Sequence, residues 1–481
     1  MSSHILLHME LPIDFISRTK KILGEDEYAA FEKALKNASP VSIRINTLKW
    51  EATVSENNVP WAVDGLYLKE RPSFTFDPLF HAGCYYVQEA SSMFIEQAIR
   101  RYVDNPVVML DLCAAPGGKS TLLRSLLPEG SLLVANEVMR NRSQILAENI
   151  IKWGHPEVIV TNNDPADFTK LTNMFDVILT DVPCSGEGMF RKDEVAISEW
   201  STNNVEICYT RQRRILEDIW PTLKPGGILI YSTCTYNREE NEDNVKWISE
   251  ELGAQILPVN ANEEWNITGN LTENIFPAYR FMPHKTTGEG FFMAVLRKDD
   301  DEKTNESNID AFGFSKVKSK KKGKDNGKSN FQTVPDGVKE WLKDSTKYSF
   351  ENFNDSITAF PLEHIDNYQR VKSVLKIIHA GVEVGNIKGR DIIPAHSLAM
   401  SKYIERSMFT TADLDYRDAI SYLRKEAIAI GPEYPRGYIL FTYRNIPLGF
   451  AKNIGNRTNN LYPQEWRIRS GYLPENEVSV I

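Results

Sequence analysis

The chain has 481 residues, 42% of them hydrophobic and 25% charged, which suits a globular protein of two to four domains and excludes a fibrous or wholly disordered one. A formal net charge of -9 argues against a uniformly basic nucleic-acid coat, although phosphate contacts are local and other faces can be acidic. No apolar run reaches the roughly 18 residues of a membrane span, and "MSSHILLHMELPIDF" lacks the basic, apolar and small-residue succession of a leader, so a cytoplasmic location is expected.

The cysteines at 84, 113, 184, 208 and 234 form no C-x-x-C pair and no close Cys/His cluster. No metal site is expected, and an odd, scattered set suits a reducing compartment. Each is by default a small buried hydrophobe.

In chain order, residues 1–105 read as a small α+β domain. Tyr28, Phe31 and Leu35 of "DEYAAFEKALKN" recur at helical spacing, and "VSIRINTL" alternates as a half-buried strand. From 106 to 298, the apolar segments "VVMLDLC", "SLLVANE", "EVIVTNN", "FDVILTDVPC" and "GGILIYSTCTY" alternate with helical runs such as "RSQILAENIIKW" and "VEICYTRQRRILEDIW". That alternation predicts a doubly wound, Rossmann-like α/β domain on a mostly parallel sheet. Such sheets bind ligands beyond their strand carboxyl ends, where the strand order reverses. Asp111 to Lys119, Glu137, Asp164, Asp181 to Cys184 and Cys234 are thereby placed along one rim.

Residues 299–330 are polar and charge-segregated, as in a flexible linker. Their basic run "SKVKSKKKGKDNGKS" reads as a solvated stretch before it reads as an RNA site. Residues 331–400 suggest a small mixed domain. Residues 401–481, with "RGYILFTYRNIPLGFAKNIGNRTNNLYPQEWRI", read as short strands broken by Asn, Gly and Pro, a compact β-rich module.

"DLCAAPGGKST" follows the first strand of the α/β domain. Its paired glycines let the backbone approach a ligand, and the helix that follows favours a negative group. A phosphate-binding P-loop would need glycine where Cys113 stands, and the glycine spacing does not fit a dinucleotide fingerprint. S-adenosylmethionine remains: Glu137, about 20 residues on, has the usual place of a ribose-binding acid, and Asp164 follows the third strand, within reach of an adenine edge. Each acid alone would ordinarily be a cap or a surface charge.

"DLCAAPGGKS", "DVPCSGEGMFRKD" and "YSTCTYNREENEDNV" together resemble the NOL1/NOP2/Sun family of RNA cytosine-C5 methyltransferases, and "RINTL" and "GCYYVQEASSM" resemble its bacterial RsmF-type ribosomal RNA branch. The catalytic resemblance covers about residues 40 to 298, and "NIGNRTNNLYPQEWRI" is similar to the PUA-like RNA-binding end of RsmF-type proteins. Residues 331 to about 400 match more loosely.

C5 of cytosine is not nucleophilic until a thiolate adds at C6, so the chemistry needs an activated cysteine, a partner at N3 and a base for the C5 proton. Spacing does not decide whether Cys184 or Cys234 attacks, since both end strands on the same rim. The resemblance implies Cys234 as nucleophile, Cys184 as the thiol assisting product release, and Asp181 at cytosine N3. It also implies a cofactor site of Cys113, Ala114, Ala115, Pro116, Gly117, Gly118, Lys119, Glu137 and Asp164, bounded by Asp181.

The base must be unpaired or flipped to be reached. Phe190, Arg191 and Lys192 of "GMFRKD" read equally as stacking and phosphate contacts or as a capped surface loop. The expectation is an S-adenosylmethionine-dependent methyltransferase acting on small-subunit ribosomal RNA, with no membrane or metal partner and a monomer favoured. A transfer RNA cytosine methyltransferase and a noncatalytic RNA-binding assembly factor are the rivals, with an NAD enzyme a distant third.

Overall fold

The computed structural model describes residues 10–51, 56–300 and 334–481. The basic run and all but the first two residues of the expected linker lie outside the described residues.

Three antiparallel strands open the fold: β1 (Val41–Ile45), β2 (Gly65–Leu68) and β3 (Tyr85–Tyr86), ordered β2-β1-β3. The helix Glu25–Leu35 precedes them and buries Tyr28, Phe31 and Leu35, as its spacing predicts. Ser42 to Ile45 of β1 are all buried rather than alternately so. Ile43 and Ile45 pack in an apolar cluster, whereas Arg44 on the opposite face reaches the helix Gly118–Leu126, donating to Thr121 Oγ1 at 2.6 Å. A strand covered on both faces loses its exposed side whatever its residue pattern.

The central sheet is built from β4 (Val108–Asp111), β5 (Leu132–Asn136), β6 (Val158–Thr161), β7 (Phe175–Asp181) and β8 (Leu223–Thr233), all mutually parallel where paired. Their side chains alternate between two cores. Leu133 and Ala135 join one apolar cluster, and Leu132 and Val134 join the other, as a period of two requires when helices cover both faces. Antiparallel strands that the sequence reading missed complete one edge: β9 (Ala254–Leu257), β10 (Tyr279–Phe281) and β11 (Phe291–Lys298). The order is β10-β11-β8-β7-β4-β5-β6, so the chain departs from β4 first towards β5 and β6, then returns to its other side with β7. Beyond the carboxyl end of β4 there is accordingly an open crevice.

The segment expected as a separate domain at 331–400 supplies β12 (Tyr348–Phe353), β13 (Ser356–Pro361), β14 (Ile377–Ala380), β15 (Val382–Lys388) and β16 (Asp391–Pro394). Four of them form a sheet ordered β12-β13-β15-β16, but β14 leaves it and pairs antiparallel with β6. The central sheet therefore extends beyond residue 298. The last sheet, β17 (Thr410–Asp413), β18 (Gly437–Tyr443), β19 (Ile446–Asn453) and β20 (Thr458–Asn460), runs in that order. It shares one core with the amino-terminal strands: Ile43, Leu79 and Tyr85 pack with Ile439, Phe441 and Tyr462. Among the described residues no helix is long and apolar enough to cross a membrane.

Candidate active site

A cleft of about 490 Å³ opens at the carboxyl ends of β4 and β7, lined on one side by Cys113, Ala114, Ala115, Pro116, Gly118 and Lys119, and on the other by Asp181 and Cys234. The loop after β4 is held from beneath. Ala114 N–H donates to Asn136 O at 2.8 Å, Arg142 donates to Ala115 O at 2.8 Å, and Asn149 donates to Pro116 O at 2.8 Å. Gly117 has φ +113, a left-handed conformation that starts the helix Gly118–Leu126. A Cβ on Gly118 would stand 3.2 Å from the Tyr86 ring. The bare backbone thus forms one wall, and the size and mixed lining suit a nucleoside-containing ligand with a charged end.

Asp181 ends β7 and is held in a fixed pose, its Oδ2 2.9 Å from Lys119 Nζ and its Oδ1 accepting from Ser232 Oγ at 2.8 Å. Burial pulls the Lys119 ammonium down in pKa, but the Asp181 carboxylate outweighs it and pushes it up. The ammonium therefore stays charged, and both Asp181 oxygens are used as acceptors.

The structure brings the two motif cysteines together. Cys184 Sγ and Cys234 Sγ are 3.1 Å apart, within hydrogen-bond range for sulfur. The hydrogen bond to Cys234, then burial, then the nearby Glu240 carboxylate push the Cys184 thiol well above its ordinary range. A thiol held protonated suits proton donation more than attack, and Cys234 lines the cleft whereas Cys184 does not.

Glu137 and Asp164 lie outside the lining of the cleft. Glu137 is buried, accepts Met139 N–H at 2.9 Å and faces Arg142 at 3.4 Å. Asp164 caps the short helix Pro165–Lys170 by a reciprocal capping box with Asp167. Cys113 borders the cleft, and burial, ahead of its acidic neighbours, pushes its thiol up. Cys84 and Cys208 are buried away from the cleft.

Of the "GMFRKD" residues, Gly188, Met189 and Lys192 line the cleft. Phe190 is 1% exposed and packs edge-on against Phe15 at 5.0 Å, and Arg191 pairs with Glu289 at 2.7 Å. Their reading as stacking and phosphate contacts is corrected: both side chains are spent on internal packing. Sequence reasoning gave no role to Arg71, Tyr86, Gln88 or Phe291, which also line the cleft. They come from the amino-terminal segment and from β11, whose approach to the β4 loop no local spacing announces. Two buried acids that hold the thiol loops, Glu187 and Glu240, were missed as well. The signal available was their place inside the very motifs that carry the cysteines.

Comparison with known proteins agrees with this organisation. Residues 102–297 match the family described as 16S rRNA methyltransferase RsmB/F, residues 11–90 the N-terminal domain of 16S rRNA methyltransferase RsmF, and residues 409–468 the methyltransferase RsmF PUA domain. The chain is 30% identical over 495 residues to ribosomal RNA small subunit methyltransferase F of Aliivibrio fischeri, covering 96% of this chain and 98% of that one. It is 29% identical to the protein of the same name from Enterobacter sp., with 96% and 97% covered. Among solved structures, a methyltransferase homolog from Pyrococcus horikoshii is 30% identical with a TM-score of 0.53, covering 62% of this chain and 100% of that one. NSun6 from Pyrococcus horikoshii shares the fold, with 22% identity, a TM-score of 0.50 and coverage of 60% and 98%. From its amino-terminal segment to its PUA-like end, the chain belongs to the ribosomal RNA small subunit methyltransferase F family.

Proposed function

We propose that this protein methylates C5 of a cytosine in small-subunit ribosomal RNA, using S-adenosyl-L-methionine bound in the cleft beside the β4 loop. The observation that carries the reading is the thiol pair, Cys184 and Cys234 at 3.1 Å, at the rim of that cleft and next to a fixed carboxylate. Amino-group methyltransferases carry no use for two thiols there; addition to C6 does.

The cofactor supplies an electrophilic methyl group when bound. The cleft residues that would hold it are Ala114, Ala115, Pro116, Gly118 and Lys119, with the buried Glu137 behind them. Cys234, as thiolate, forms a bond to C6 and turns C5 into an enamine carbon. As charge moves onto the ring, N3 takes a proton from water, and Asp181, held by Lys119 and Ser232, would accept a hydrogen bond from the N3–H so formed. After methylation a water molecule takes the C5 proton, the C5–H electron pair re-forms the C5–C6 double bond, and Cys234 departs with its electron pair. Cys184, kept as a thiol, is the proton source at 3.1 Å for that departing sulfur. Arg71, which lines the cleft, is a cation that could meet the RNA backbone there, while the cleft's Lys192 is paired with Glu289 at 3.5 Å. Action on ribosomal RNA places the activity in the cytoplasm.

The test compares wild type, Cys184→Ala and Cys234→Ala with cofactor and small-subunit RNA from cells lacking the protein. A slow-migrating protein–RNA adduct on a denaturing gel is expected for Cys184→Ala alone, with no methyl transfer by Cys234→Ala. An adduct in Cys234→Ala would reverse the roles. Neither adduct nor methylation with ribosomal RNA, but methylation of transfer RNA, would move the substrate class.

A further inference from the structure

We infer that Glu187 and Glu240 are positioning residues, two buried carboxylates that cross-brace the loops bearing Cys184 and Cys234 and thereby set the spacing of the thiol pair. The inference rests on the proposed function for its consequence, but its geometry is independent of it.

Each acid belongs to one cysteine's loop and binds the other's. Glu187, three residues after Cys184, accepts from Tyr236 N–H at 2.7 Å, Asn237 N–H at 2.9 Å and Thr235 Oγ1 at 3.0 Å, all in the segment following Cys234. Its second oxygen accepts from Asn237 Nδ2 and Trp200 Nε1, each at 3.0 Å. Glu240, six residues after Cys234, reaches back to Ser185 N–H at 3.0 Å and to the Ser185 hydroxyl. Gln212 joins the braces, donating to Glu240 at 2.7 Å and to Pro183 O at 3.0 Å. Between the braces, Gly188 N–H donates to Cys234 O at 2.7 Å, and a Cβ on Gly188 would lie 2.6 Å from that same oxygen. The two loops are in contact with no room to slide.

The burial of these groups is what calls for explanation. Glu187 is 1% exposed and Glu240 0%, and neither has an ion-pair partner among the described residues. Ionising a carboxyl buried without a cation is costly, and burial, then the neighbouring Glu187, push the Glu240 carboxyl up to about 7. Several N–H and O–H donors converge on each acid, and the backbone donors come from the opposite loop, 49 residues away for Tyr236 on Glu187 and 55 for Ser185 on Glu240. A neutral side chain could fill the space. Only a group that is acceptor on both oxygens can gather backbone donors from the opposite loop without presenting a donor of its own.

The spacing of two thiols can be read directly with phenylarsine oxide. Its arsenic exchanges oxygen for two sulfurs, the thiol protons leaving with that oxygen as water, and the second As–S bond forms efficiently only when the thiols are neighbours. The full chain as wild type, Glu187→Gln, Glu240→Gln, Ser185→Ala and Cys184→Ala is titrated, with S-adenosylhomocysteine affinity measured alongside. Wild type is expected to capture one arsenical per chain and Cys184→Ala none. Both Gln variants are expected to bind it about tenfold more weakly or worse, with S-adenosylhomocysteine affinity within about twofold of wild type. Their kcat on RNA is expected to fall about 10- to 100-fold with little change in KM, the mark of misplaced reacting groups. Undiminished arsenical capture in both Gln variants would overturn the inference. So would parallel loss of capture and cofactor affinity, which marks a general structural role. If the Gln variants do not fold, Ser185→Ala decides, undiminished capture again overturning it. Capture that follows this pattern in a wild type that methylates no RNA would sustain the brace and sink the proposed reaction instead.

Discussion

Asp111, the last residue of β4, is fully buried with Oδ2 accepting from Ser120 Oγ at 2.6 Å and Oδ1 without a hydrogen-bond partner. Burial pushes its carboxyl up from 3.8 to about 7, Ser120 and Lys119 pull it partly back, and Asp181 and Glu137 add to the rise. In the unfolded chain the group ionises near its ordinary value, so between about pH 4 and pH 7 the folded state holds a proton that the unfolded state has lost. Stability is then greatest below that window and falls as pH rises through it. The expected outcome is that Asp111→Asn, neutral at every pH, loses less stability than wild type between pH 5 and pH 8. The difference is on the order of 1–4 kcal/mol from a shift of this size, read by urea denaturation at both pH values. Parallel curves for the two proteins would mean that Asp111 ionises normally in the folded state.

At the scale of elements, the cofactor helix is gripped from outside its own domain. Arg44 on β1 is 1% exposed and donates to Thr121 Oγ1 at 2.6 Å, Gly118 O at 3.3 Å and Gln88 Oε1 at 2.8 Å, while its guanidinium lies 4.4 Å over Trp153. Burial pulls the pKa of this guanidinium down to about 9, against the pull of Asp64, Tyr86 and Glu96, so it remains charged near neutrality. Its fork spans the start of the helix Gly118–Leu126 and the cleft-lining Gln88 at once, a geometry an ammonium cannot reproduce. Arg44→Met and Arg44→Lys are both expected to weaken S-adenosylhomocysteine binding about tenfold, the effect of losing one charge-assisted hydrogen bond at the site's wall. Calorimetric titration decides it; unchanged affinity in both would show that the helix start needs no support from β1. "RINTL" announces a strand, but nothing in its period says that Arg44 points at a helix some 75 residues later. That contact exists only because β1 lies across the central domain.

For the molecule as a whole, the first and last segments are one packing unit. Ile43, Leu79 and Tyr85 share an apolar cluster with Ile439, Phe441 and Tyr462. Polar links reinforce it: Tyr416 Oη donates to Phe76 O at 3.0 Å and Val480 N–H to Asp77 Oδ2 at 3.2 Å. A chain ending at residue 400 would expose that cluster and strip β1 and β3 of their packing against it, at roughly 25 cal/mol for each Å² returned to water. Such a truncation is expected to lower the thermal midpoint by about 10 °C or more relative to the full chain, measured by calorimetry. A midpoint within about 3 °C of the full chain would show the PUA-like module to be an appendage.

Much of this was determined by the sequence alone. The apolar strands β4 to β8, the glycine loop before Lys119 and the two cysteine motifs could be read because each depends on interactions within a few residues or on burial of a whole strand. Their common rim followed from the rule that parallel sheets open at their carboxyl ends. The tertiary structure alone decided the rest. Phe190 turned out to be core because the helix Ile13–Leu23 brings Phe15 against it. β14 joined the central sheet because β6 presented a free edge. Glu187 and Glu240 became braces because the loops after β7 and β8 lie close enough for each acid to reach across. Composition and spacing describe what a segment can do; which segment it meets is set by how the sheets pack, and the thiol pair at the centre of this protein depends on that meeting.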